Sequence, residues 1–337
     1  MYGDVDFKNT VGASGTGSDW RSILVGGLGK GGKGYYAIDI TNPADWVSEA
    51  AVAGKVLWEF TDSDMGYSFG DPIIAKTPEF GWTVILPSGY HDDTGNAAYL
   101  FMVNPRTGSL LKKIALPGST DMAHITAYAP NFANLLVDAV YGADLNGNLW
   151  RVDLTGATTT QTVGETQTTT VSYSYTVKKL AVLTDASGST QAVTTRPLVE
   201  VDPSSGKRYV LVGTGKLLSD NDIQSQQTQS FYAIWDGQGD FFGKFGVAAS
   251  PLTRASLNNN NNLLAGIGSN PTSDNGWYYD LSKHTASEIA ERVNIHPTAT
   301  GTGIVGFAAN LPNGDVCSPA GTSRLFAIRF ATGHCTN

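Results

Sequence analysis

The sequence predicts an all-β fold built from repeated four-stranded units. Three observations carry the prediction: a strong hairpin signal at residues 140–154, an aromatic-apolar strand motif that recurs along the chain, and little helical periodicity. Residues 140–154 read as a strand, a tight turn around Asn146-Gly147-Asn148, and a second strand with Leu149, Val152 and Leu154 available for packing.

The second strand has relatives at Tyr35-Tyr36-Ala37-Ile38-Asp39, Leu100-Phe101-Met102-Val103-Asn104, Ser230-Phe231-Tyr232-Ala233-Ile234-Trp235-Asp236 and Arg324-Leu325-Phe326-Ala327-Ile328-Arg329. Turn residues follow, as in Pro105-Arg106-Thr107-Gly108, Asp236-Gly237 and Ala331-Thr332-Gly333. The comparable positions Asp39, Asn104, Asp153, Asp236 and Arg329 are 65, 49, 83 and 93 residues apart. A propeller blade takes ~40 to 50 residues, so the longer intervals hold a degenerate blade or an insertion. Residues 55–60, 81–86, 208–213 and 276–281 are strand-like and supply such strands. Helical spacing is confined to residues 42–53 and 282–292, each read as a surface loop with one or two helical turns.

Charged residues make up 15% of the chain and the formal net charge is −8, with no basic patch, which excludes nucleic acid as a partner. No apolar run approaches the ~18 to 20 residues that span a bilayer. The opening Met1-Tyr2-Gly3-Asp4 has neither a basic n-region nor an apolar h-region, so no signal peptide is expected there, and a start inside a polar, Gly-rich loop predicts a fragment, 1–337, of a longer protein. Low charge with abundant Thr, Ser, Asn and Gly is the composition of secreted and cell-surface β proteins. Cys317 and Cys335 lie 18 apart and flank the strand around Phe326, so they are either a disulfide or two unpaired thiols.

Two segments read as decorations. Residues 157–178 form a Thr/Gln/Ser-rich insertion, expected as a β-hairpin or mobile flap. Residues 256–275 form an Asn-rich loop whose run Asn258 to Asn262 is expected as a disordered tip. The five histidines are scattered without metal-ligand spacing, Gly12-Ala13-Ser14-Gly15 lacks the last glycine of a nucleophile elbow, and Lys30 in the Gly-rich run is followed by glycine where a phosphate loop needs Ser or Thr.

Leu24-Val25-Gly26-Gly27-Leu28-Gly29-Lys30-Gly31-Gly32-Lys33-Gly34-Tyr35-Tyr36-Ala37-Ile38-Asp39 resembles the opening signature of the C-terminal domain of the PilY1/PilC family, type IV pilus biogenesis factors and tip adhesins. Met65-Gly66-Tyr67-Ser68-Phe69-Gly70-Asp71-Pro72, the hairpin from Tyr141, Val212-Gly213-Thr214-Gly215-Lys216 with the Gln227 to Asp236 run, and Cys317-Ser318-Pro319 follow in the family's order. The resemblance implies a modified β-propeller of about seven blades with irregular or degenerate blades and loop insertions. It implies export to the cell surface, outer membrane or pilus tip, with minor pilins or a tip complex and a host-cell or abiotic surface as partners. The implied work is pilus assembly, adhesion and twitching motility, without catalysis.

It also implies a calcium loop just before Tyr141. Residues 130–138 offer Pro130, Phe132, Asn134, Leu136 and Asp138 at the alternate positions. Only Asn134 and Asp138 can ligate through side chains, with Leu136 able to lend a carbonyl, against the six to eight oxygens calcium takes. The loop is read as largely dismantled. The Asp144, Asn146, Asn148 cluster has the spacing of half an EF-hand loop but is explained by the turn itself. Two alternative functions fit a propeller of this kind. A quinoprotein dehydrogenase would need pyrroloquinoline quinone beside calcium and adjacent cysteines, which the chain lacks, so no quinone is expected. A glycan-binding propeller would use Trp20, Trp82, Trp277 and Tyr90 as stacking platforms.

Overall fold

The computed structural model describes residues 1–91, 97–131, 133–163, 166–237, 250–262, 275–282, 289–312 and 321–335. Among them the chain is a succession of antiparallel meanders. The first sheet runs β1 (Tyr2–Asp6), β2 (Trp20–Gly27), β3 (Tyr35–Asp39), β4 (Val56–Phe60), in that order. The second repeats the plan with β5 (Ile73–Thr77), β6 (Gly81–Pro87), β7 (Ala97–Val103) and β8 (Leu110–Thr120). Sequential strands pairing with their neighbours is what short turns between period-two strands dictate.

The chain continues through β9 (Ile125–Tyr128), β10 (Ala139–Ala143) and β11 (Asn148–Asp153), then a separate ribbon of β12 (Ala157–Val163) on β13 (Thr166–Ser172). β14 (Thr176–Val182) returns to give the order β14-β11-β10-β9. A five-stranded sheet follows, with β15 (Leu198–Val201), β16 (Arg208–Gly213), β17 (Ser230–Trp235), β18 (Asn258–Asn259) and β19 (Gly276–Asp280) in the order β15-β16-β17-β19-β18. The last sheet runs β20 (Thr298–Thr300), β21 (Ile304–Pro312), β22 (Gly321–Arg329), β23 (His334–Cys335). The described residues thus hold five blade-like sheets beside the expectation of about seven.

By internal packing the chain divides into two compact units, 1–141 with 151–178 and 142–150 with 179–337. In the first, Val5, Ile23, Val25 and Phe60 pack with Val84, Leu86 and Phe101, and the Phe60 and Phe101 rings meet edge to face at 5.6 Å. The Trp58 indole N–H donates to the Pro105 carbonyl at 2.9 Å, so this buried ring leaves no donor unspent. In the second unit Phe231, Phe307 and Phe326 form a stack with centroids 3.9 and 4.6 Å apart. β21 supplies its share by strict alternation, burying Val305, Phe307 and Ala309.

The strand ends share one device. Asn104, Asp144, Asp185 and Asp202 each accept hydrogen bonds from backbone amides two or three residues on. Each is followed by a glycine at positive φ: Gly108, Gly147, Gly188 or Gly206. The acidic or amide side chain replaces the missing strand partner and glycine takes the left-handed turn without steric cost. The sequence repeat predicts the turns at Gly108 and Gly147, while those at Gly188 and Gly206 emerge from the structure.

The helical segment at 42–53 holds a 3-10 turn at Pro43–Asp45 and α1 (Glu49–Ala53), the latter capped by the Ser48 hydroxyl on the Ala51 amide. Of 282–292, residues 283–288 lie outside the described set, and residue 282 and residues 289–292 are not helical. One expectation is corrected. Residues 258–262 are no disordered tip: β18 pairs in parallel with β19, and Asn258 and Asn260 are buried. The Asn258 amide donates to the Gly276 carbonyl at 3.1 Å and that of Asn260 to the Gly333 carbonyl at 2.7 Å, while Asn261 exchanges bonds with Asp280. Carboxamides carry both donors and acceptors, so an asparagine run can complete a sheet edge where apolar residues would leave backbone groups unpaired.

Candidate functional site

The family-like motifs become contacts in the folded chain. In the first unit the Gly26 to Gly34 run links β2 to β3 and lies against the Met65 to Pro72 segment. Ser68, 2% exposed, ties them. Its hydroxyl accepts from the Leu28 amide at 2.8 Å and donates to the Gly34 carbonyl at 2.6 Å, and its carbonyl accepts from the Gly29 amide at 3.2 Å. Tyr67 and Tyr90 exchange backbone hydrogen bonds beside it. The glycines there are close-approach positions: a Cβ on Gly27 would sit 2.3 Å from the Ser68 carbonyl oxygen, on Gly66 2.2 Å from that of Tyr90, and on Gly70 1.5 Å from that of Ala123. Gly27, Gly66 and Gly70 are therefore packing requirements.

The loop before Tyr141 has a definite geometry. Asn131 and Asn134 are exposed and turn their side-chain oxygens onto backbone amides, those of Ala133 at 2.9 Å and Leu136 at 3.0 Å. Leu135, between Asn134 and its bonding partner Leu136, sits at φ 59°. Asp138 is half-buried, its amide donating to the Tyr128 carbonyl at 2.9 Å and its carbonyl accepting from Leu154 at 2.8 Å. It is the loop's one carboxylate. Both side-chain candidates thus lie in one loop, with Asn134 turned toward the chain's own amide. This donor set matches a backbone-stabilised turn better than a hard divalent cation, which favours several carboxylates.

In the second unit the turn of the opening hairpin is held by a fully buried carboxylate. Asp144 accepts from the Asn146 and Asn148 amides at 3.0 and 2.8 Å, from the Asn148 carboxamide, and from the Trp150 indole at 3.1 Å. Burial pushes this carboxyl up while the bonds from Asn148 and Trp150 pull it down. A Cβ on Gly147 would meet the Leu183 and Gln191 carbonyls within 2.8 Å, so the turn sits tightly against residues 183–191.

A second buried network centres on the Ser230-to-Asp236 motif. Tyr232 donates to Gln191 Oε1 at 2.6 Å, Gln191 donates to Ser230 Oγ at 2.9 Å, and Ser230 donates to Asp280 Oδ1 at 2.7 Å. Arg254 binds both oxygens of Asp280 and stacks on Tyr278 with its guanidinium 3.8 Å from the ring centre. Burial works against ionisation of Asp280, but hydrogen bonds from Arg254, Asn261 and Ser230 hold it below its ordinary value. A polar cleft of about 390 Å³ opens where Leu145, Lys216, Asp222, Gln227 and Gln229 meet. Sequence reading missed Gln191, Arg254 and Asp280, because single polar residues at long sequence separation leave no local pattern.

The proposed aromatic platforms are mostly interior: Trp82, Trp277 and Tyr90 are buried, Trp277 donating to the Phe330 carbonyl at 2.7 Å. Trp20 is exposed and meets Trp82 edge to face at 6.0 Å. Cys317 and the side chain of Cys335 lie outside the described residues.

Antiparallel four-stranded meanders with Asx-and-glycine turns, locked by close-packed glycine motifs, define a modified, irregular β-propeller. A family model described as the PilY1 beta-propeller domain matches residues 4–264, and the chain belongs to that family. A type IV pilus biogenesis factor PilY1 homolog of Xylella fastidiosa is 31% identical, the alignment covering 98% of this chain and 23% of the relative. The type IV pilus biogenesis factor PilY1 of Pseudomonas aeruginosa is 29% identical over 94% of this chain and 30% of its own length. The crystal structure of the Pseudomonas aeruginosa PilY1 C-terminal domain superposes with a TM-score of 0.71 at 24% identity, over 94% of this chain and 68% of that one. The chain spans less than a third of these curated relatives.

Proposed function

We propose that this chain is the propeller domain of a longer exported protein that promotes type IV pilus assembly. The observation that carries the reading is the family match over residues 4–264, joined to relatives named as pilus biogenesis factors. In this reading the domain works without catalysis, at the cell surface or pilus tip, and supports adhesion and twitching. Minor pilins or a tip complex and a host-cell or abiotic surface are its partners. Its buried polar centres are spent on the chain's own groups, on backbone amides and side chains at Asp144 and on side chains at Asp280, which suits a rigid display scaffold. We further propose that the loop holding Asn134 and Asp138 works as a turn and not as a calcium site.

The test is deletion of the coding region in the source bacterium, complemented by the intact gene or by a copy lacking this domain. Loss of sheared surface pili and of twitching zones, restored only by the intact gene, is the expected result. Normal piliation without the domain overturns the reading. Purified chain given pyrroloquinoline quinone, calcium and a dye acceptor is expected to turn over no alcohol.

A further inference from the structure

His91 occupies an unusual position in the first unit. Its side chain is 8% exposed, and each ring nitrogen faces an acceptor: Nδ1 lies 3.1 Å from Asp121 Oδ1 and Nε2 lies 3.3 Å from the Asp64 carbonyl oxygen. The His91 backbone amide donates to the same Asp121 oxygen at 2.8 Å, and Asp121 sits at φ 49°, a left-handed conformation that costs a non-glycine residue energy. A neutral imidazole carries one N–H and an imidazolium carries two. Only the protonated ring can donate to both partners.

The two acceptors belong to different segments. Asp64 directly precedes the Met65 to Pro72 motif, and Asp121 precedes Met122 and Ala123, whose carbonyls receive the Gly89 amide and abut Gly70. We propose that His91 is a proton-operated latch that, when charged, ties the Asp64 end of this motif to the Asp121 turn, and that loses one of the two ties on deprotonation.

The surrounding charges favour the closed form. Asp121 is the nearest anion. The side chain of Asp64 is drawn with Asp62 to Lys113, and Lys33 is the opposing cation. Tyr90, buried near Asp121, is pushed up and stays neutral. Asp92 and Asp93 follow His91 in sequence and lie outside the described residues. The hydrogen bond to Asp121 raises His91 above its ordinary value, against the opposing effect of burial. For a group raised in the folded state, the stabilisation is full below the unfolded value near pH ~6.5 and is lost as pH rises through the folded value. The latch is therefore closed in mild acid and loosens toward alkaline pH.

The test is ¹⁵N imidazole NMR on the intact chain, paired with hydrogen exchange at residues 64–70 from pH 6 to pH 9, corrected for intrinsic rate. Expected are a His91 midpoint above ~6.5, both ring nitrogens protonated at pH 6, and exchange that speeds by about tenfold across the range, the scale of one charge-assisted hydrogen bond. His91→Gln is expected to flatten that pH dependence. A midpoint at or below the free value, or equal pH dependence in His91→Gln, overturns the latch. Should His91→Gln not fold, the titration of the unaltered chain still decides.

Discussion

The Trp150 indole N–H donates to the buried Asp144 carboxylate at 3.1 Å, so the second strand of the hairpin is bonded by a side chain to the residue that begins its turn. Backbone turn, side-chain cap and core ring are one unit. Asp144→Ala strands the Asn148 and Trp150 donors in a dry site, and a loss of about 3 kcal/mol in urea unfolding is expected, with Asp144→Asn intermediate. An unchanged midpoint in Asp144→Ala would show that water replaces the carboxylate at no cost.

Gly70→Ala places a methyl 1.5 Å from the Ala123 carbonyl oxygen, closer than any backbone adjustment of a few tenths of an ångström relieves. The variant is expected to lose more than the ~1 to 3 kcal/mol of ordinary overpacking. Gly118→Ala, where nothing lies within 4 Å but φ is 75°, should suffer only the milder strain of a left-handed alanine. Melting temperatures of the two variants rank the effects.

Acid should weaken the second unit through Asp280. Its carboxyl is held low by Arg254, Asn261 and Ser230 against burial, so its contribution is present above the unfolded value near pH ~4 and disappears as pH falls through the folded value. Arg254→Met removes the main partner, and its stability deficit is expected to be largest at neutral pH and to shrink in acid. A deficit independent of pH, read from urea midpoints between pH 7 and pH 3, would assign Arg254 a packing role on Tyr278 instead.

Calcium at millimolar concentration is expected to leave the melting temperature unchanged, as is Asp138→Asn. A ligand that binds only the folded state stabilises it by an amount set by its concentration relative to Kd. A calcium-dependent rise abolished by Asp138→Asn would restore the loop as a cation site.

Much of the fold was legible because local chemistry repeats. Aromatic-apolar runs that end at a polar position before a turn mark β3, β7, β11 and β17, and the structure shows how two such turns are built: Asn104 after β7 and Asp144 before β11 cap them, and Gly108 and Gly147 complete them. The asparagine run misled because composition alone reads as loop, whereas burial of Asn258 and Asn260 depends on the partners Gly276 and Gly333.

By itself the sequence determined the strands, the turns and the family motifs, since these follow from side-chain period and φ preference within a few residues. Tertiary structure alone decided what the motifs are for. Gly66 and Gly70 are required by the Tyr90 and Ala123 carbonyls, and His91 acquires its two acceptors from Asp64 and Asp121, 27 and 30 residues away. Close approach and desolvation are properties of distances between remote segments, which no local pattern encodes.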